Sequence, residues 1–316
     1  MRRALVATVR NEEVRLPEFL ASLERQTVRP DVIVVTDGGS TDRTPELLQT
    51  FASRSSLPFR WASAPGNRSR GRNEAIRLAD ADIIAVTDVS VLDPAWFERI
   101  VAPLERGQAD VVAGWYELLV DSPRERAVGL LTQWSLDQVR PETFLPSSRS
   151  VAFTRGAWEK VGGYPEHLAT TEDTVFDLRL RQAGLRFVFR PDAIVRWRPS
   201  TNMRGAYRMY LQFAQSDAHA RLFFRSPSRY PVVLAAYVLG VSLIILGVVW
   251  PLAWVAFFPA VFVYFLYRIR KVIRVRLWSQ VPYALGVAMG LDAAMLLGYA
   301  RGIVGRSRFE STGSTV

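Results

Sequence analysis

The sequence contains no cysteine, two histidines and only two lysines, Lys160 and Lys271. Without cysteine there is neither a disulfide nor a thiolate metal site, and the redox compartment stays open. His167 and His219 read as ordinary polar residues. Beyond the first apolar run the chain has Val9-Arg10-Asn11-Glu12, not the glycines of a dinucleotide fingerprint, which argues against a Rossmann-type oxidoreductase. The N-terminus is basic and then apolar, but Arg10 and Asn11 break the run before it reaches the length of a signal-peptide core, so it reads as a first strand. No charged residue falls between Tyr230 and Tyr267.

What is present divides into two kinds of sequence. The 316 residues are 49% hydrophobic with a mean hydropathy of +0.07, high for a water-soluble enzyme, which implies a soluble part and a lipid-facing part. The net charge of +10 is carried almost wholly by arginine, and much of it flanks the C-terminal apolar runs. That placement favours anionic membrane lipid over nucleic acid as the partner.

The uncharged run is too long for one span, since it would make a helix of ~57 Å against a hydrocarbon core of ~30 Å. It reads as a hairpin over 231–267, Pro231–Val249 and Leu252–Tyr267, turning at Trp250-Pro251. A basic loop over 268–276 follows, and the positive-inside rule assigns it, with Arg221, Arg225 and Arg229, to the cytoplasm. Residues 281–300 are apolar apart from Asp292, with Gly286, Gly290, Ala294 and Gly298 in a small-residue stripe. As a third span this segment would carry Arg301, Arg306 and Arg308 to the far side, so it reads as a re-entrant or interfacial helix. Residues 201–229 form a basic, aromatic amphipathic pattern suited to the membrane interface or to packing on the soluble domain. Residues 307–316 read as a disordered tail.

The soluble part, residues 1–200, alternates strands and helices. Strands are expected at Ala4–Thr8, Val32–Val35, Phe59–Ala62, Asp82–Thr87, Val111–Tyr116, Arg186–Phe189 and Ala193–Trp197, and a regular pattern returns at Val151–Arg155. Residues 121–150 hold helical patches and a loop without a recognisable motif. The second strand runs into Thr36-Asp37-Gly38-Gly39-Ser40-Thr41-Asp42, and Thr44-Pro45-Glu46 then reads as an N-cap and first turn. Open α/β sheets bind ligands at such a strand-to-helix turn. With no lysine after the glycines, the turn is not a triphosphate cradle. Asp37 offers a carboxylate for a base or a ribose hydroxyl. Further on, Arg68, Arg70 and Arg72 lie in a loop that opens a helix, a diphosphate site or a solvated basic loop.

The turn at 36–42 resembles the Asp-Asp-Gly-Ser-Thr-Asp signature of family 2 glycosyltransferases, and four other segments resemble that family in order. Thr8-Val9-Arg10-Asn11-Glu12 is similar to its Thr-x-Tyr-Asn-x-Glu segment beside the nucleotide base, with Arg10 in place of Tyr. Arg72-Asn73 matches its Ala-Arg-Asn motif, Val161-Gly162-Gly163-Tyr164 its Val-Gly-Gly-Phe beside the acceptor, and Glu172-Asp173 its Glu-Asp motif. The resemblance implies a GT-A fold, a Rossmann-like mixed α/β sheet flanked by helices and here followed by transmembrane helices. It implies a nucleotide diphospho-sugar donor and a lipid-linked or glycan acceptor. Thr8, Arg10, Glu12, Asp37, Arg72 and Asp88 would bind the donor, Asp173 would be the general base, and Glu172 its catalytic neighbour.

It also implies a divalent cation, Mg²⁺ or Mn²⁺, on Asp88. Here the chain departs from the family, with Ser90 in place of the second Asp of Asp-x-Asp and Trp197 where many relatives have a His ligand. The enzyme would sit in the cytoplasmic (inner) membrane as a multi-pass protein with its catalytic domain in the cytoplasm. A catalytically impaired sugar-nucleotide-binding subunit is the alternative.

Overall fold

A computed structural model describes residues 1–200, 202–225 and 229–313, with 306–313 as backbone only. The chain begins β1 (Arg3–Val9), α1 (Leu16–Glu24), β2 (Val32–Asp37), α2 (Thr44–Arg54), β3 (Phe59–Ser63), α3 (Arg68–Ala79), β4 (Ile83–Thr87) and β5 (Val91–Leu92). It continues with α4 (Trp96–Glu105), β6 (Val111–Leu118), α5 (Pro123–Thr132), β7 (Val151–Thr154), α6 (Arg155–Lys160), α7 (Glu172–Gln182) and β8 (Phe187–Trp197). Four helices complete it: α8 (Met203–His219), α9 (Tyr230–Val249), α10 (Ala253–Arg274) and α11 (Val281–Gly313).

These elements form two compact units, one of residues 1–119 and 136–198, the other of 120–135 and 199–316. The chain passes from one unit to the other at 198–199, beside the expected boundary at residue 200, but 120–135 with α5 groups with the apolar helices rather than with the sheet.

The first unit is a mixed eight-stranded sheet in the order β3-β2-β1-β4-β7-β6-β8-β5. β3, β2, β1 and β4 are mutually parallel, and β7 runs antiparallel to both β4 and β6. Strands β2 and β4 are buried along their whole length, as continuous apolar runs require when helices cover both faces. The period-two alternation then sorts side chains between two cores. Leu5, Ala7, Ile33 and Val35 pack with Phe19, Leu48 and Phe97 on one face; Ala4, Val6, Val34 and Val86 pack with Ile76, Phe176 and Leu180 on the other. The two strands expected near 186–197 are one, β8, which absorbs Pro191 through an irregularity opposite Gly114. A Cβ at Gly114 would stand 2.8 Å from the Ala193 carbonyl oxygen, so only glycine fits there.

In the second unit, α9, α10 and the helical segment Trp278–Gly305 are long and apolar enough to cross a membrane. The hairpin turns at residues 250–252, as its composition implies. Residues 268–274 are not a loop, however; the basic residues prolong α10 to Arg274 as its last turns, where cations suit the negative end of the helix. The third segment is one unbroken helix to Gly313, so 307–313 extend α11 in place of the expected tail, and 314–316 lie outside the described residues. Only 11% of the apolar window of α9 or of α10 is buried, against 44% in the third helix, so the hairpin presents its side chains outward while α11 is packed. The packing partner is α8. A Cβ at Gly298 would lie 2.4 Å from the Leu211 carbonyl oxygen, and one at Gly302 2.5 Å from that of Gln215. The small-residue stripe therefore works at Gly298 and Gly302, while Gly286 faces open space. The amphipathic α8 buries its small residues Ala206, Ala214 and Ala218, a packed face rather than one reserved for lipid.

Candidate active site

The parallel strands β1, β2 and β4 end side by side at Val9, Asp37 and Thr87, and most of the expected donor-binding residues lie at or just beyond these ends. The loop after β1 is laced to the loop after β2. Asn11, held at φ 55°, donates its amide to Ser40 Oγ at 2.8 Å and accepts from the Thr41 amide at 2.8 Å. The Glu12 amide donates to Thr44 Oγ1 at 2.8 Å, and that of Glu13 to Asp42 Oδ2 at 3.1 Å. Thr44 thus caps no helix of its own; its hydroxyl serves the neighbouring loop, and Arg43 stands at the cap position.

Asp37 is buried at the tip of β2, accepting from the Ser40 amide at 3.1 Å and from Ser40 Oγ. Thr8 is half-buried at the end of β1, against α3, where a Cβ at Gly71 would collide with Thr8 Oγ1 at 2.2 Å. Arg10 is exposed, and Glu12 is half-buried. Burial, with the Asp88 and Asp42 carboxylates, raises the pKa of Glu12 against the pull of Arg15 and Arg68. Thr8, Arg10, Glu12, Asp37 and Asp88 are therefore gathered at one edge of the sheet.

Arg72 is placed otherwise than expected for a residue on the diphosphate. It is 5% exposed and donates through Nη1 to Glu172 Oε1 at 2.5 Å, with its guanidinium 5.3 Å from the Tyr164 ring. A side chain so buried is committed to protein partners, although its Nε finds none. The exposed arginines of that loop are Arg68 and Arg70. Asn73 is likewise structural: its side chain donates to the Tyr164 carbonyl at 2.9 Å and accepts from the Tyr164 amide at 2.9 Å, tying the Gly162-Gly163-Tyr164 turn to α3.

Helix α7 starts with Glu172 and Asp173, just after Thr171 at φ 67°. A β-branched residue there is strained, and such strain is tolerated where a site demands it. The two neighbouring carboxyls are driven apart. Burial alone would raise Glu172, but Arg72 and Arg68 hold it below the ordinary carboxylate range. Burial and the Glu172 charge raise Asp173, with Arg72 and Arg149 opposing. Asp173 is half-buried and, among the described residues, accepts a hydrogen bond from the Thr174 amide, at 2.9 Å. The arrangement makes Glu172 a fixed anion and Asp173 a carboxyl able to take up a proton. One turn on, Asp177 is buried with Oδ2 unpartnered, and burial and Asp173 raise its pKa well above normal.

Asp88 lies just past β4. Its Oδ1 accepts from the Ser90 amide at 2.9 Å and from Ser90 Oγ at 2.5 Å, and Oδ2 is 3.2 Å from Arg149 Nε. The Arg149 guanidinium stands 4.6 Å from the Trp197 ring and 5.7 Å from that of Tyr116. Where a metal-binding site would need carboxylate or imidazole donors, the chain has a hydroxyl, an indole and a cation. Among the described residues no group of three or more His, Asp or Glu could hold a metal ion. The expected divalent cation on Asp88 does not fit this donor set, since both carboxylate oxygens are engaged and the nearest charge is positive. Tyr116, Arg149 and Asp177 belong to no motif in the sequence. Arg149 is found only through the strand pairing that sets it opposite Asp88.

Comparison with known proteins agrees with this geometry. The model of "Glycosyl transferase family 2" matches residues 5–151, and that of "Glycosyl transferase family group 2" matches 87–267, more than half of the chain. The O-antigen chain rhamnosyltransferase RfbN of Salmonella typhimurium is 24% identical over 66% of this chain and 70% of its own. Among solved structures, the mannosyltransferase PcManGT of Pyrobaculum calidifontis, in complex with GDP-Man and Mn²⁺, superposes with a TM-score of 0.54 at 19% identity, covering 99% of this chain and 79% of that one. Residues 1–349 of S. aureus TarS, in complex with UDP, give 0.53 at 16% identity, covering 96% and 92%. Of a longer TarS chain, with a TM-score of 0.52 at 17% identity, the match spans 45%, and 72% of this chain. The mixed sheet with helices on both faces is that of the GT-A fold. The chain belongs to glycosyl transferase family 2 and is a glycosyltransferase.

Proposed function

We propose that the protein transfers a sugar from a nucleotide diphospho-sugar to a lipid-linked or polysaccharide hydroxyl at the cytoplasmic face of the inner membrane, with inversion at the anomeric carbon. The observation that carries this reading is the split pair on α7, a fixed anion at Glu172 beside a proton-accepting Asp173, with Arg149 acting on Asp173 while paired with Asp88. Thr8, Arg10, Glu12 and Asp37 hold the nucleoside. In the displacement, the acceptor oxygen forms its bond to the anomeric carbon as the bond to the diphosphate oxygen breaks. Asp173 takes the hydroxyl proton, and the electron pair leaves with the nucleoside diphosphate. Arg72 orients Glu172 rather than meeting the phosphates.

The membrane placement is supported by three helices of sufficient length and apolarity. The acceptor class is supported by the O-antigen rhamnosyltransferase relative. The test is transfer by the full chain in nanodiscs, from labelled UDP-, GDP- and dTDP-sugars to polyprenyl-diphosphate saccharides, with the product anomer read by NMR. A retained anomeric configuration would refute the inverting mechanism. Binding of donors without transfer to any acceptor would favour an impaired binding subunit, the reading suggested by Ser90 and Trp197.

A further inference from the structure

The antiparallel register of β4 and β7 pairs Ile83 with Thr154 and Val86 with Val151; continued by two residues, it sets Asp88 opposite Arg149. We propose that the Arg149 guanidinium takes the place of a divalent cation in this chain, neutralising the diphosphate of the nucleotide-sugar donor so that donor binding needs no metal. This inference rests on the reading of the site as a nucleotide-sugar site and adds how that site carries the phosphate charge.

The charge is in position and held there. Arg149 Nε is 3.2 Å from Asp88 Oδ2, and Nη1 donates to Ser147 Oγ at 2.9 Å. No acceptor for Nη2 is found among the described residues. The planar group lies over the Trp197 ring at 4.6 Å, an arrangement that fixes its plane and leaves Nη2 to meet a phosphate oxygen. Its backbone is clamped on both sides. Ser148 Oγ hydrogen-bonds the Tyr164 hydroxyl at 3.1 Å, while Ser150 Oγ accepts from Trp96 Nε1 at 2.8 Å and donates to the Ala193 carbonyl at 3.1 Å. A cation fixed in this way costs no reorganisation when a polyanion arrives.

The surrounding charges favour such a group. Asp88, Glu172 and Asp173 are carboxyls, and the buried Arg72 is paired with Glu172. Arg68 acts on Glu172 and Glu12 from an exposed position, whereas Arg149 is the arginine in direct contact with Asp88. Arg149 lies between the two halves of the chemistry, touching Asp88 on the donor side and opposing the rise of the Asp173 pKa on the acceptor side. The two departures are consistent with this role: Ser90 and Trp197 remove metal donors at the place where Arg149 supplies positive charge.

The test uses the full chain in detergent and measures affinity for UDP, GDP and dTDP, and for the nucleoside of the tightest of them, in EDTA and in Mn²⁺. Wild-type diphosphate affinity is expected to agree within about twofold between the two conditions. Arg149→Ala should weaken the diphosphate by roughly 10–100-fold, the worth of charged hydrogen bonds, and leave the nucleoside unchanged. Arg149→Lys should recover part of the loss. Equal loss of diphosphate and nucleoside would reduce Arg149 to a packing residue and overturn the proposal. The wild-type comparison needs no variant to fold: diphosphate binding in Mn²⁺ but not in EDTA overturns the inference while the donor reading stands. Failure of every diphosphate to bind in either condition removes the donor reading and this inference together.

Discussion

Arg72–Glu172 in the sheet unit and Arg268–Asp292 among the apolar helices are both close arginine–carboxylate pairs, at 2.5 and 2.6 Å, with the carboxylate side chain at most 5% exposed. They differ in their surroundings. Asp292 receives, besides Arg268, the Tyr264 hydroxyl at 2.9 Å, so a lone charge in an apolar helix is answered by a cation and a hydrogen bond. Glu172 is followed at once by Asp173 and one turn later by Asp177, both pushed upward although Arg72, Arg149 and Arg181 oppose the shift from a distance, and of the three only Glu172 has an arginine in direct contact among the described residues. The first arrangement closes an account between helices; the second leaves two carboxyls with raised pKa values beside a fixed anion, the kind of separation that proton transfer uses.

The sharpest way to test that contrast is Asp173→Asn. Removal of a positioned base should lower turnover by ~10²–10⁴-fold with donor affinity unchanged, measured side by side. In the parent, the raised pKa of Asp173 places the acid limb of the turnover profile above the range of an ordinary carboxylate, and activity falls as pH drops through it. Near wild-type transfer by the variant would make Asp173 a mere helix-start residue. Next in size is Arg72→Met, which leaves Glu172 buried and unpaired at a cost of ~3–5 kcal/mol, read as a fall in Tm. Adding Glu172→Leu should restore much of the Tm but not turnover. If stability and turnover both return, the pair is only structural.

Asp292→Asn should cost roughly 1–2 kcal/mol in detergent and leave nucleotide affinity untouched. A change in affinity would erase the distinction between the two pairs. The smallest effect concerns Asp177. Between the model-compound value of 3.8 and its raised folded pKa, the folded state holds a proton that the unfolded state has released, so stability declines as pH rises through that window. Asp177→Asn abolishes this decline and should raise Tm by a few degrees above the window, on the order of 1 kcal/mol, with the gain vanishing toward pH 4.

How far the molecule is legible in its sequence follows the range of the interactions. The apolar hairpin and the strands β1, β2 and β4 are written in continuous runs, and Asp37 and Asp173 sit inside short motifs whose local geometry is self-contained. Arg149 is not legible, because it meets Asp88 across 61 residues and only through the antiparallel insertion of β7 between β4 and β6. The burial of Arg72 is hidden for the same reason, since its partner Glu172 lies 100 residues on. Strand β5 has two residues, too few for any periodicity to show. The Thr44 hydroxyl fits a cap by composition, but the amide of Glu12, from another loop, reaches it first. Helix α5 is an ordinary capped helix locally, and nothing in its letters says that its buried Ala127 and Val128 pack with Ile269, Val287 and Leu291 of the apolar helices.

The lacing of the loop after β1 into the loop after β2 has a kinetic consequence. The amides of Asn11, Glu12, Glu13 and Thr41 are each fastened across the gap between the two loops, so none can let go without loosening its neighbours. Such a set opens as one cooperative patch, and its amide protons should exchange with solvent together rather than one by one. If this edge takes the nucleoside as proposed, the floor of the pocket is already assembled before the ligand arrives. Encounter then needs no folding step, and the rate of capture is governed by diffusion and charge rather than by waiting for a loop to order.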